Sequence, residues 1–112
     1  MISAGIDIGS RTIKLVTIKE NEIVTSEVRP NSYNTIEICR EMLTGVAYDS
    51  ITSTGYGRHL FSRYFECDVI SEIKAFTLGA YHMVPDCKTI LDIGGQDTKA
   101  IAVDNDGKIS KF

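Results

Sequence analysis

Apolar residues occupy every second position at the start of the chain, which predicts a strand with one buried face. Asp7 falls between two of them, so we expect its carboxylate on the opposite face of that strand. Two further stretches rich in β-branched residues follow after short polar breaks, at 13–19 and 22–28, and together the three predict an antiparallel meander. The alternating apolar residues are Ile2, Ala4, Ile6 and Ile8.

The pattern then changes to a helical period. Apolar positions recur at three- and four-residue spacing before Gly45, which predicts a helix with Ser32 or Asn34 as its N-cap. A second helix is expected from the N-cap Ser71 to Met83, because Pro85 follows it. The apolar positions of the first helix are Ile36, Cys39, Met42 and Leu43.

Short strands and turns account for the rest of the chain. A helical turn or two is expected over 59–65, after the turn Gly55-Tyr56-Gly57, and Asn105-Asp106-Gly107 is typical of a hairpin turn. The alternation of strands and helices predicts an α/β architecture. The remaining predicted strands are 51–54, 67–70, 88–93, 98–103 and 108–112.

Composition and charge narrow the classes of function. The chain has 112 residues and a formal net charge of −3, which fits one domain, or one domain and a fragment. It has no basic cluster that would bind a nucleic-acid backbone, so nucleic acid is not an expected partner. No apolar stretch reaches the length of a membrane span or a signal peptide, so we expect a cytoplasmic protein with no membrane partner.

The cysteines are Cys39, Cys67 and Cys87, an odd number without C-x-x-C spacing. Free thiols in a reducing compartment are therefore favoured over a disulfide framework. Neither His59 nor His82 stands near a cysteine in sequence, so no zinc site is predicted.

One short motif occurs twice. Residues 7–14 and residues 92–99 both read D-I-G-x-x-x-x-K, and each copy is predicted to form a strand, a glycine turn and a strand. Glycine lets the backbone turn tightly, and successive N–H groups then point into one concavity that suits phosphate oxygens. One such hairpin alone is ordinary turn chemistry, but two copies favour a phosphate cradle.

Each copy begins with a carboxylate at the tip of an apolar strand. Asp7 and Asp92 would repel each other in one cleft, and a divalent cation that also bridges phosphate oxygens would relieve that repulsion. The expected ligand is therefore a nucleotide with Mg²⁺. Neither a Walker A pattern nor G-x-G-x-x-G occurs, so P-loop and dinucleotide binding are not competing interpretations.

These motifs also carry a family likeness. GIDIGS, residues 5–10, resembles the first phosphate motif of the superfamily of actin, sugar kinases and heat-shock chaperone ATPases, and DIGGQD, residues 92–97, resembles its second. More narrowly, GIDIGSRTIKLV, TGYGR, SEI and LDIGGQDTKAI resemble the ATPase activators of 2-hydroxyacyl-CoA dehydratases and the ATPase subunits of benzoyl-CoA reductase. The likeness spans almost the whole chain.

This resemblance implies a ribonuclease-H-like fold of the actin-like ATPase type. Residues 1–87 would form a first domain, a βββαβαβ mixed sheet with helices that carries the first phosphate motif. Residues 88–112 would be the opening β-hairpin of a second domain that is otherwise missing, with the second phosphate motif.

The resemblance also implies roles for the motif residues. Asp7 would help to hold Mg²⁺, and Asp92 would face it across the metal. Gln96 and Asp97 would be the catalytic candidates that orient the attacking water. The residues that would line the phosphates are Gly9, Ser10, Thr12, Lys14, Gly94 and Gly95.

Three further residues have two interpretations each. Tyr56 and Arg58 would contact the cleft or a partner, but a strand-to-helix turn that needs its glycines explains TGYGR without such a role. Glu72 belongs to the SEI string, and a glutamate in a first helical turn is already explained by the helix dipole.

The family likeness implies partners as well. Such activators work as homodimers that bridge one [4Fe-4S] cluster, and they couple ATP hydrolysis to delivery of a low-potential electron to the dehydratase component. ATP or ADP and Mg²⁺ are therefore implied cofactors. The cysteine motifs that hold the family's cluster do not occur in this sequence, so this chain itself does not support the cluster.

We therefore expect the nucleotide-binding portion of such an ATPase, too short for turnover alone. With most of the second sheet missing, an apolar face would be exposed, which predicts self-association or a second chain that completes the cleft. The alternative is a non-catalytic interaction or remnant module, and a small-molecule kinase of the same superfamily ranks last. The residues expected on the exposed face are Ile90, Ile93, Ile101 and Val103.

Overall fold

The computed structural model describes residues 1–93 and 98–111, and the chain divides into two compact units. The first unit spans Met1–Ile70 and the second Ser71–Phe112. Each unit has its own sheet. The expected domain boundary between residues 87 and 88 falls inside the second unit and stays a prediction.

A five-stranded sheet forms the first unit. Strands β1 (Ile2–Ile8), β2 (Thr12–Lys19) and β3 (Glu22–Pro30) make the expected antiparallel meander. Strand β4 (Ser50–Thr54) then pairs parallel to β1, and β5 (Asp68–Val69) pairs parallel to β4. The order across the sheet is β3-β2-β1-β4-β5, so strands that are distant in sequence meet at β1 and β4.

The buried face of this sheet packs against two helices, α1 (Thr35–Leu43) and α2 (Arg58–Ser62). Phe61 of α2 has no exposed surface, and its ring stacks on that of Phe65 with the centroids 4.4 Å apart. Burial of the alternating strand residues supplies most of the apolar driving force for this unit. The core residues are Ala4, Ile6, Ile8, Ile13, Leu15, Cys39, Met42, Leu43, Ile51 and Phe61.

Helix α1 buries the apolar face that its spacing predicted, with Cys39, Met42 and Leu43 inside. The backbone leaves the helix at Thr44, and Gly45 follows with a φ of +78°, a conformation that suits glycine. Burial raises the pKa of the Cys39 thiol to about 11. All three cysteines are free thiols.

A helix and three strands form the second unit. Helix α3 (Glu72–Met83) packs against β6 (Thr89–Ile93) and β7 (Thr98–Val103), and β8 (Ile109–Lys111) completes an antiparallel sheet in the order β6-β7-β8. The Ser71 hydroxyl accepts a hydrogen bond from the Lys74 N–H at 3.2 Å, which confirms the predicted N-cap. In the described part of the chain, no helix has the length and hydropathy to cross a membrane.

The turn between β7 and β8 is organised by one carboxylate. Asp104 Oδ1 accepts hydrogen bonds from the backbone N–H groups of Asp106 and Lys108, each at 2.9 Å. The bond from Lys108 is the larger cause that lowers the pKa of Asp104. Gly107 has a φ of +80°, so the predicted hairpin turn is present.

The prediction that four apolar residues of the second sheet are exposed is wrong for two of them. Ile101 has no exposed surface and Val103 only 5%, because β7 is the central strand and α3 packs against it. Ile90 pairs with Ile101 and shares its face, half-buried. Leu91 and Ile93 alternate onto the other face, where they are 61% and 73% exposed.

Replacing Phe61 with Ala should lower the free energy of unfolding of the first unit by about 3–5 kcal/mol, because it leaves a cavity that the sheet and helices cannot fill. Tyr64→Ala is the matched control, since this ring is 59% exposed, and it should cost less than about 1 kcal/mol. Urea unfolding followed by circular dichroism measures both. Equal losses would contradict the position of Phe61 in the core.

Cys39 should resist alkylation in the folded protein, because its thiol is buried and its raised pKa leaves little thiolate at pH 8. Mass spectrometry after iodoacetamide treatment should find Cys67 and Cys87, both half-buried, labelled before Cys39. Denaturant should abolish the difference. Fast labelling of Cys39 in native buffer would contradict its burial.

Candidate functional site

Asp7 lies near the carboxyl end of β1, where three strands bring side chains together. Its register partner on antiparallel β2 is Lys14, and its register partner on parallel β4 is Thr54. Lys14 Nζ lies 3.9 Å from Asp7 Oδ2 and donates a hydrogen bond to Thr12 Oγ1 at 3.1 Å. The Asp7 side chain is 29% exposed and that of Lys14 55%, so both charged groups are open to solvent and to a ligand.

The turn from β1 to β2 is closed from within. The Gly9 N–H donates to the Thr12 carbonyl at 2.9 Å, and a Cβ on Gly9 would lie only 3.1 Å from that same oxygen. The Ser10 N–H has no backbone acceptor in the residues that the structure describes. Ser10 therefore offers a free donor at the mouth of the turn, whereas the Gly9 donor is already used.

The TGYG segment presses against the end of β1. Gly55 has a φ of +93°, and a Cβ there would collide with Asp7 Oδ1 and come within 2.6 Å of the Ile8 carbonyl oxygen. The Gly57 N–H donates to that carbonyl at 2.8 Å. Glycine is therefore required at Gly55 both for backbone conformation and for space.

The other residues of this motif do not point to one role. Arg58 donates from its guanidinium to the Gly55 carbonyl at 2.9 Å, so it stabilises its own turn. Tyr56 is 83% exposed. Glu72 lies in the first turn of α3, as predicted. Contacts of these three residues with a ligand or a partner stay predictions.

Two residues of the first unit were not identified as site residues from the sequence. Thr54 Oγ1 is buried and has no hydrogen-bond partner among the described residues, although Thr54 belongs to the TGYGR string. Asn31 holds the β1–β2 turn from the other side, through hydrogen bonds to the carbonyls of Gly9 and Arg11, each at 2.8 Å. An asparagine after a strand indicates a turn, but no local pattern indicates contacts with residues twenty positions earlier.

The second copy of the motif has the same strand register as the first. Asp92 pairs with Lys99 across β6 and β7, as Asp7 pairs with Lys14, and four residues separate the last paired positions in each hairpin. Asp92 is half-buried in the second unit. The other predicted residues of this copy, Gly94, Gly95, Gln96 and Asp97, lie outside the described residues, and a shared site of Asp7 and Asp92 stays a prediction.

Metal-binding clusters and cavities add little to this picture. Within 1–93 and 98–111, no three His, Cys, Asp or Glu side chains come together to hold a metal. A cavity of about 550 Å³ lies at the opposite end of the first sheet, where β4 and β5 begin, away from the end that carries Asp7. Its lining residues are Tyr48, Asp49, Ser50, Ile51, Phe65, Glu66, Cys67 and Asp68.

Comparison with known proteins identifies relatives over the whole chain. The chain is 38% identical to the activator of lactoyl-CoA dehydratase from Anaerotignum propionicum, and the match covers 100% of this chain and 46% of that protein. It also matches the solved structure of the activator of 2-hydroxyisocaproyl-CoA dehydratase from Clostridium difficile with bound ADPNP. The TM-score is 0.80 and the identity 33%, over 99% of this chain and 44% of that one.

A second solved structure extends the likeness. Component A of (R)-2-hydroxyglutaryl-CoA dehydratase from Acidaminococcus fermentans superposes with a TM-score of 0.84 at 29% identity, over 99% of this chain and 46% of that one. The chain thus spans less than half the length of these relatives. The predicted mixed α/β fold of the actin-like ATPases and the resemblance to dehydratase activators are both confirmed.

The family assignment rests on nearly every residue. The sequence model of the BadF/BadG/BcrA/BcrD ATPase family matches residues 4–112, which include both copies of the D-I-G motif and the TGYG turn. The chain therefore belongs to the BadF/BadG/BcrA/BcrD ATPase family.

Proposed function

We propose that this chain is the nucleotide-binding part of an ATPase of the dehydratase-activator type, and that its two D-I-G turns bind Mg²⁺ with ATP or ADP. The observation that carries the proposal is the common register of the two hairpins, in which an aspartate at the end of one strand lies opposite a lysine on the next. The ADPNP bound to one relative supports the same class of ligand.

The residues around Asp7 suit a magnesium ion and phosphates. Mg²⁺ prefers oxygen ligands, directly or through water. Asp7 supplies a partly exposed carboxylate, and its register neighbour Thr54 has a buried hydroxyl with no hydrogen-bond partner among the described residues. A buried hydroxyl without a partner is costly, so a bound water or ligand oxygen would satisfy it. When bound, Mg²⁺ would neutralise negative charge on the phosphate oxygens.

The protein groups of this site have separate tasks in the proposal. Asp7 holds the cation, and Lys14 provides a positive charge at the same mouth of the turn. The Ser10 N–H, which has no backbone acceptor within 1–93 and 98–111, donates to a phosphate oxygen. Gly94 and Gly95 would bring backbone to the terminal phosphate. Gln96 and Asp97 would orient the attacking water, a positioning task that phosphoryl transfer requires.

By likeness to its relatives, the chain would act in the cytoplasm as a homodimer, with a dehydratase component as its partner. The system that it serves would be one acyl-CoA dehydratase or benzoyl-CoA reductase. A [4Fe-4S] cluster does not fit the cysteines present. Cys39 is a core thiol whose pKa burial raises to about 11, and neither Cys67 nor Cys87 matches the family's cluster motifs.

A second candidate function is favoured by the exposed residues of β6. Leu91 and Ile93 are 61% and 73% exposed on one face of the second sheet, and such apolar surface is typical of an interaction site. The chain would then act as a non-catalytic module that binds a copy of itself or another polypeptide. Absence of nucleotide binding by a folded protein would favour this function over the first.

Calorimetric titration with Mg²⁺ and ADP tests the first proposal. The wild-type chain should bind, and Asp7→Asn and Asp92→Asn should each weaken binding by at least about tenfold, or about 1.4 kcal/mol, because each removes a negative charge that would hold the Mg²⁺ ion. Asp106→Asn is the control, since this carboxylate lies at the exposed β7–β8 turn. This variant should bind Mg²⁺–ADP with the wild-type affinity. Wild-type protein that is folded by circular dichroism but gives no heat would contradict nucleotide binding.

Gly55→Ala should lower stability and also weaken Mg²⁺–ADP binding, because the new methyl group collides with Asp7 and with the Ile8 carbonyl. Gly45→Ala is the matched control: Gly45 also has a positive φ, but nothing lies within 4 Å of an added Cβ. Both variants should lose about 1–3 kcal/mol from backbone strain, with a larger loss at Gly55. Only Gly55→Ala should reduce affinity, so equal affinities in the two variants would contradict its role in positioning Asp7.

A further inference from the structure

Asn31 joins three parts of the first unit. It directly follows β3, and its backbone N–H donates to the Arg11 carbonyl at 2.8 Å, while its side-chain Nδ2 donates to the Gly9 carbonyl at 2.8 Å. Its Oδ1 accepts from the Ser32 N–H and from Thr35 Oγ1, each at 2.8 Å. One residue therefore ties the β1–β2 turn to the first residue of α1.

Because the peptide bond is planar, these hydrogen bonds also fix the direction of the Ser10 and Thr12 N–H groups. In a trans peptide the C=O of one residue and the N–H of the next point in opposite directions. Since the Gly9 carbonyl points to Asn31, the Ser10 N–H points away from it. The bond to the Arg11 carbonyl directs the Thr12 N–H in the same manner.

The side chain must be an amide to do this. Its two ends have opposite tasks: the oxygen accepts from Thr35 and Ser32, which fixes the nitrogen toward Gly9. An aspartate of the same shape would set a carboxylate oxygen against the Gly9 carbonyl oxygen, and both are acceptors. Alanine would keep the backbone bond to the Arg11 carbonyl but would lose the bond to the Gly9 carbonyl.

We propose that Asn31 is a positioning residue for the phosphate-binding turn, which directs the Ser10 and Thr12 N–H donors toward phosphate and links them to the start of α1. The inference rests on the proposed nucleotide site and adds a residue and a task to it. Its effect is on the phosphate part of the ligand, because the turn that it holds carries the D-I-G motif.

The first test measures binding of Mg²⁺–ADP and of Mg²⁺–tripolyphosphate by calorimetry. Asn31→Asp should weaken the binding of both ligands by about tenfold, the size expected when one partly buried hydrogen bond is replaced by a repulsive contact. Thr35→Val keeps Asn31 but removes one of the two hydrogen bonds that orient its amide. It should weaken the binding of both ligands less than Asn31→Asp does. Asn34→Ala is the control, because Asn34 contacts Glu37 and not the turn, and its affinity should match wild type.

The second test reports the turn itself without any ligand. Hydrogen exchange of the Gly9 N–H, which is bonded to Thr12, should accelerate in Asn31→Asp while the amides of the strand centres stay protected. This pattern separates loosening of the turn from general destabilisation, even where Asn31→Asp lowers the unfolding midpoint.

The two tests distinguish the inference from the function on which it rests. Wild-type binding with unchanged affinity in Asn31→Asp overturns the positioning role alone, as does unchanged Gly9 exchange. Absence of binding by folded wild-type protein overturns the proposed nucleotide site, and with it the task assigned to Asn31.

Discussion

The first unit depends on the close approach of the Gly55 turn to the end of β1. Parallel pairing brings the ends of β1 and β4 together, and only a residue without a Cβ fits at Gly55, next to Asp7 and the Ile8 carbonyl. The Ile8 carbonyl also accepts a hydrogen bond from the N–H of Gly57, the N-cap of α2. Helix α2 in turn places Phe61 in the core. A single contact thus fixes both the carboxylate of the site and the largest buried side chain.

Local patterns predicted what local forces determine. Alternation identified the first three strands, the spacing of Cys39 and Met42 identified the inner face of α1, and Ser71 marked the start of α3. The burial of Ile101 and Val103 was not predicted because it comes from the packing of α3 on the central strand β7, a contact between elements that strand periodicity does not report. Asn31 and Thr54 were missed because the residues next to them in the fold are distant in sequence: the β1–β2 turn for Asn31, and Asp7 for Thr54. Sequence spacing carries no signal of such contacts.

The two D-I-G hairpins share one strand register but lie in different surroundings. One is backed by a five-stranded mixed sheet with α1 and α2, the other by α3 and a small antiparallel sheet. In both, the pairing of aspartate with lysine survives, although almost nothing else around it is shared. The strand register is therefore set by the short sequence of each hairpin, since the same number of residues separates the paired strands in both.

The Asp7–Lys14 pair gives the site an internal counter-ion. At 3.9 Å and with both side chains partly in water, the pair is held by about 1 kcal/mol or less, so separating the charges is cheap. In the proposed site, a ligand that brings its own cation and anion would exchange partners with this pair: the Asp7 carboxylate would bind the metal and the Lys14 ammonium would bind the phosphate. All four charges would then be paired both before and after binding, so the exchange would leave neither side chain with an unpaired charge.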